Sequence, residues 1–320
     1  MVRTIALTGA TGFIGGAVAA RLLGAGYRVR ALVRPGSVHK CSQLPAKIEW
    51  VKGDCAEKAA LGELLAGADS LIHCAGAVRG ASAPAFSGAN EDGVASLAQA
   101  AQAQKSPPRF LLISSLAARE PQLSLYAASK RAGEEALRRL GENLFWTVFR
   151  PAAVYGPGDR ELLPLFQTMF RGIAPVLGSP ASRVSMLYVG DLAAAILTWL
   201  ERPGLNHAVK HAVYEVGDGR PQGYTWQEII DIAAQCRGKG IVRIMVPDWL
   251  AKTLAQCNLA AAGLSGHAPM LTPWKVRELL HPNWVADSGP LTAATGWQPE
   301  MALAEGICRT MGLDMHKGMA

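Results

Sequence analysis

A short run with strand character, Thr4 to Thr8, leads directly into Gly9-Ala10-Thr11-Gly12-Phe13-Ile14-Gly15 and then into an Ala- and Leu-rich helical stretch, Gly15 to Leu23. Few folds accept three glycines at this spacing between a strand and a helix. In a strand-to-helix turn the first permits a tight reversal and the second lets backbone N–H groups approach an anion. The third lets helix and strand pack closely. The helix N-terminus adds its own partial positive charge at that point. A chain that opens this way is expected to hold a dinucleotide pyrophosphate.

The alternation continues. Strand-like runs at Val29 to Val33, Ile48 to Val51, Ser70 to Cys74, Phe110 to Ser114 and Trp146 to Arg150 are interleaved with helical stretches at Leu61 to Ala66, Gly93 to Ala103 and Tyr126 to Leu140. The strands are too continuously apolar to have one wet face. This predicts an α/β fold, a doubly wound parallel sheet of Rossmann type with helices on both sides. After Arg150 the pattern loosens, and only Met186 to Val189 and Ala212 to Val216 read as further core strands. The expected organisation is a dinucleotide-binding domain over 1–172, to which 184–217 return, and a smaller, mostly C-terminal substrate lobe over 218–320.

No apolar run, such as Ala193 to Leu200, approaches the roughly 20 residues needed to span a bilayer, and the N-terminus lacks a signal-peptide pattern. The expectation is a soluble, cytoplasmic protein. The six cysteines are scattered without C-x-x-C or metal-like spacing, so reduced packing residues and no metal site are expected. A net charge of +7 suits an anionic partner, but no dense basic run with interleaved aromatics argues for nucleic acid.

The second strand bears on the choice of dinucleotide. An acid about 20 residues past the glycines would meet a free ribose hydroxyl, whereas a 2′-phosphate calls for Arg. Here Val33-Arg34 occupies that place. NADP (NADPH) is therefore expected, with NAD as the alternative, and Arg30 or Lys40 could serve instead of Arg34. Further on, Tyr126-Ala127-Ala128-Ser129-Lys130 opens a helix capped by Ser124 and ended by Gly141. Tyr126 and Lys130 share one helix face. A phenol is a poor acid–base catalyst at neutral pH, but a nearby ammonium stabilises the phenolate and lowers its pKa. Ser114-Ser115, ending the preceding strand, supplies hydroxyls at the carboxyl edge of the sheet.

Together with His73-Cys74-Ala75-Gly76, the run Arg150-Pro151-Ala152-Ala153-Val154-Tyr155-Gly156-Pro157-Gly158-Asp159 and Tyr188-Val189-Gly190-Asp191, these motifs resemble the extended short-chain dehydrogenase/reductase superfamily, the NAD(P)-dependent epimerase/dehydratase group. The resemblance covers the dinucleotide domain and fades in the C-terminal lobe. It implies that Tyr126 is the general acid/base, that Lys130 holds the nicotinamide ribose and that Ser115, or its neighbour Ser114, bonds the substrate oxygen. Cofactor contacts carried over by position are Gly9, Thr11, Gly12, Phe13, Ile14, Arg34, Asp54, Cys55, Cys74, Ala75, Gly76, Ile113, Lys130, Pro151 and Val154. Asn90 resembles a family asparagine and reads equally as a buried structural amide. The resemblance also implies a homodimer paired through the Tyr126 to Leu140 helix.

Relatives acting on nucleotide sugars carry Asn where this chain has Ala153, and the C-terminal lobe is rich in apolar residues, among them Trp249, Leu254, Leu259, Trp274, Trp284 and Trp297. Such a lobe suits a hydrophobic ketone better than a diphosphate. The expected activity is NADPH-dependent reduction of a lipid-like, steroid-like or long-chain keto-amine substrate, or oxidation of the alcohol. Peripheral membrane contact of the C-terminal lobe is left open. A nucleotide-sugar epimerase or dehydratase is the alternative. A non-catalytic dinucleotide-binding scaffold is a third reading, opposed by the intact Ser115, Tyr126 and Lys130.

Overall fold

The computed structural model describes residues 2–45, 47–202, 209–265 and 271–313. Its centre is a seven-stranded sheet. Six strands pair in parallel: β1 (Thr4–Thr8), β2 (Arg28–Val33), β3 (Glu49–Lys52), β4 (Ser70–His73), β5 (Arg109–Ile113) and β6 (Trp146–Pro151). Their order is β6-β5-β4-β1-β2-β3, with the strand Ala212–Val216 added beside β6. Every residue of β1 and β4 is buried, as both faces of such a sheet are covered. The expected Met186 strand exists as Met186–Tyr188, but it pairs with Ala153–Tyr155 in a separate two-stranded ribbon instead of joining the large sheet.

Helices between the strands bury one stripe each. In α1 (Phe13–Gly24) the buried residues Gly15, Val18, Ala19 and Leu22 follow the i, i+3, i+4, i+7 spacing of a single face. The next are α2 (Lys58–Leu65), α3 (Ala83–Ser87) and α4 (Gly93–Gln102). In α5 (Leu125–Leu140) the Ser124 hydroxyl accepts from the Ala127 N–H at 2.9 Å, the expected cap. The chain forms two compact units. The first comprises Met1–Arg150, Ala193–Tyr214 and Pro290–Trp297; the second comprises Pro151–Leu192, Glu215–Gly289 and the residues from Gln298 on. The second has its own core, around Tyr155, Phe166, Met169, Ile229, Ile230 and Ile307.

Strand order reverses at β1, which lies between β2 and β4. Ligands of open α/β sheets bind beyond the carboxyl ends of the strands at such a point. Thr8, His73 and Ile113 mark those ends, and the glycine run starts there.

Candidate active site

Gly9 leaves β1 at φ +77°, and a methyl on its Cα would lie 2.6 Å from the Ala75 nitrogen. A methyl at Gly15 would lie 2.1 Å from the Gly9 carbonyl oxygen. Both positions exclude any side chain, so α1 begins hard against the end of β1. Gly12 caps α1 without a side chain, and no acid stands in the first turn, where Phe13 and Ile14 present their backbone. A first turn of this kind is a receptor for a phosphate group. The cradle fits a dinucleotide.

The turn after β4 is tied to β1. The Thr8 hydroxyl lies 2.6 Å from His73 Nδ1 and accepts from the Ala75 N–H at 3.3 Å, while the Cys74 N–H donates to the Thr8 carbonyl at 3.2 Å. These bonds hold Cys74, Ala75 and Gly76 beside the glycine run. His73 is fully buried, and burial, with Lys130 nearby, lowers its pKa to about 3, so the ring is neutral. Burial likewise pushes the Cys74 thiol up to about 12. It is a packing residue and no nucleophile.

Beyond β2 and β3 lie Arg34, Asp54 and Cys55. Arg34 is exposed at the carboxyl end of β2, and its charge is felt by the Cys55 thiol, which burial raises to about 11. Asp54 accepts from the Ala56 N–H at 3.1 Å and so shapes its own turn. The alternative Arg30 is already engaged: it pairs with Glu49 at 2.8 Å and donates to the Ala66 carbonyl at 2.7 Å.

The groups with acid–base capacity sit on β5 and α5. Lys130 is buried, and its Nζ donates to the Ile113 carbonyl at 3.1 Å. Burial lowers its pKa to about 8, against the opposing pull of Cys74 and Glu134. A methyl on Gly76 would come within 3.0 Å of that nitrogen, so the turn after β4 passes directly over the ammonium. Tyr126, one helical turn before Lys130, is half-buried, with its ring tilted on Phe86 at 6.3 Å. Ser114 and Ser115 take different directions. The Ser114 hydroxyl is buried and donates to Glu134 Oε1 at 2.5 Å. Ser115 is half-buried and accepts from the Ala117 N–H at 3.2 Å, which leaves its own proton for another acceptor.

Two groups were given no role of their own in the sequence. Glu134 is buried, one turn beyond Lys130, and receives a bidentate Arg150 guanidinium, Nε to Oε1 at 2.8 Å and Nη2 to Oε2 at 2.5 Å, as well as Ser114. The spacing Tyr126, Lys130, Glu134 on one face was the available signal. His73 is the other. Asn90 is the buried structural amide: it bonds the Ala77 N–H and carbonyl at 3.0 and 2.9 Å, and its amide donates to Ser129 at 2.9 Å. Pro151 closes β6 and Val154 lies in the Ala153–Tyr155 strand, both in the second unit.

The sequence model of the NAD dependent epimerase/dehydratase family matches residues 5–217. The chain belongs to that family. As an epimerase/dehydratase-family protein it has the NAD(P)-binding Rossmann fold of the extended short-chain type. It is 40% identical over 308 residues to a ceramide reductase of Caulobacter vibrioides, covering 96% of this chain and 93% of that protein. It is 25% identical over 329 residues to a 2-alkyl-3-oxoalkanoate reductase of Stenotrophomonas maltophilia, covering 95% and 97%. Among solved structures it is similar to a UDP-glucuronic acid 4-epimerase of Bacillus cereus in complex with UDP-glucuronic acid and NAD, with a TM-score of 0.72, 19% identity and coverage of 97% and 98%. At that identity the structure speaks for the fold alone.

Proposed function

We propose that this family member is an NADPH-dependent reductase of a hydrophobic, lipid-like ketone, able to oxidise the corresponding alcohol in reverse. The observation that carries the redox reading is the desolvated Lys130 ammonium one turn from half-buried Tyr126, at the switch point of the sheet. A positive charge held in low dielectric stabilises a phenolate far more than one in water. Tyr126 donates its proton to the ketone oxygen, and Lys130 stabilises the charge that remains. Ser115 donates a hydrogen bond to the same oxygen, orienting the carbonyl. A bound nicotinamide would supply the hydride. Gly9, Gly12 and Gly15 form the bed for the pyrophosphate, and Arg34 is the cation for a 2′-phosphate.

The substrate class rests on Ala153, which offers no hydrogen bond to a nucleotide diphosphate, and on the relatives named as reductases of ceramide and of a 2-alkyl-3-oxoalkanoate. Residues 218–320 enter this reading as the substrate-binding part. The test measures NADPH and NADH consumption with long-chain ketones, and product formation from nucleotide sugars. Oxidation of NADPH by an apolar ketone is expected, with Tyr126→Phe losing about 10²- to 10⁴-fold in kcat while still binding the dinucleotide. Conversion of a nucleotide sugar without net cofactor consumption would instead establish the epimerase alternative.

A further inference from the structure

Of the ten large apolar side chains that stand exposed among the described residues, six lie on three elements of the second unit, two paired strands and a helix: Ile173, Val242, Ile244, Met245, Trp249 and Leu254. Ile173–Leu177 and Val242–Val246 form a parallel two-stranded ribbon in which Ile173 pairs with Val242, Pro175 with Ile244 and Leu177 with Val246. Paired residues of a ribbon share a face, so this face is apolar throughout. Its Leu177 and Val246 end is packed in a small core with Ala251, Ala255 and Val276. Its other end is open.

The helix Asp248–Ser265 follows at once. It buries Ala251, Ala255 and Ala262, and its outer side sets Trp249, 67% exposed, and Leu254, 48% exposed, among the exposed Lys252, Thr253, Gln256 and Asn258. From 249 to 262 its only charged residue is Lys252. An outer side on which apolar and aromatic side chains stand among polar ones suits the boundary between an apolar phase and water. Among the described residues no helix is long and apolar enough to cross a membrane, so this one can lie on a bilayer and cannot span it.

We propose that this ribbon end and helix form a docking face for the surface of an anionic lipid bilayer. Charge complementarity selects that occupant. The stretches 163–182 and 237–254 together carry five cations and one acid, Asp248. Arg171, Lys239, Arg243 and Lys252 are exposed around the apolar residues. This is the composition of an interfacial surface: apolar and aromatic side chains at the headgroup boundary, basic ones among the phosphates. A second copy of the chain fits it poorly, because a two-fold contact through this face would set these cations against their own copies. The inference gives the lipid-ketone reading a route of delivery, since a substrate with long acyl chains resides in a bilayer.

The experiment is cosedimentation of the full chain with vesicles of phosphatidylcholine alone or mixed with phosphatidylglycerol, in parallel with analytical ultracentrifugation without lipid. Selective binding to the mixed vesicles is expected, falling with salt. The double variant Ile244→Glu, Trp249→Glu should lose at least about tenfold in binding, and Lys252→Glu about fivefold or more. Both keep the thermal unfolding midpoint of the parent, since the substituted side chains are exposed. Equal sedimentation of variant and parent, or no binding to either vesicle, overturns the proposal. So does a self-association of the parent that the double variant abolishes, which would make the face a contact between copies. Vesicle binding needs no turnover, so an epimerase that still docks would overturn the substrate reading alone.

Discussion

His73 and Lys130 are both buried near the end of β4, and both are driven toward their neutral forms. For His73 the consequence is a pH-dependent stability. Its ordinary value of 6.5 falls to about 3 in the folded chain, so between those values the unfolded chain binds a proton that the folded chain refuses. The native state is therefore fully stable with respect to this group above pH 6.5 and loses about 1.4 kcal/mol per pH unit as the pH falls toward 3. Urea unfolding of His73→Asn should show about 2 kcal/mol less loss between pH 7 and pH 5 than the parent; equal losses would mean that the imidazole protonates without cost. Arg34 makes the other residue-scale prediction. It is exposed at the end of β2 while Arg30 is committed elsewhere, and the proposed reading sets it against a 2′-phosphate. Arg34→Ala should weaken NADPH binding about tenfold or more while leaving NADH within about twofold, consistent with the loss of a charge-assisted contact. Equal loss for both would show that Arg34 reads no phosphate.

At the scale of elements, β5, β6 and α5 are joined by one buried cluster: Ser114 from the end of β5, Glu134 from α5 and Arg150 from β6. Glu134 has no solvent access at its side chain, so its charge is tolerable only because the guanidinium meets both oxygens. Removing it strands a buried cation. Glu134→Ala should destabilise the chain by about 3–5 kcal/mol in urea titrations, whereas a loss under about 1 kcal/mol would mean that Arg150 finds water or another partner. The same cluster explains why two adjacent serines differ. Ser114 is turned inward to Glu134, and strand alternation then directs Ser115 the other way. The sequence reading left that choice open, because it depends on a carboxylate nineteen and twenty positions downstream that only helix packing brings back to the strand.

At the scale of the whole molecule, the sheet and its helices followed the sequence closely. Strand bounds at Thr4–Thr8, Ala212–Val216 and the β5 and β6 runs agree within a residue, because continuous apolar runs between glycine-marked turns leave few alternatives. The residues after Arg150 were less legible. Trp249 and Leu254 read as part of an apolar lining, yet both are largely exposed, while Trp297 is buried. Hydropathy reports that a side chain avoids water and is silent on what covers it.

The sequence by itself determined the dinucleotide cradle and the Tyr126–Lys130 pair. Both are local: three glycines in one turn, and two side chains one helical turn apart, have geometries set by backbone periodicity. Tertiary structure alone decided what surrounds them. The neutral His73 against Thr8, the burial that lowers Lys130 and the Ser114–Glu134–Arg150 cluster join residues far apart in the chain. Their energies come from desolvation, which exists only once the sheet order has brought the strands together.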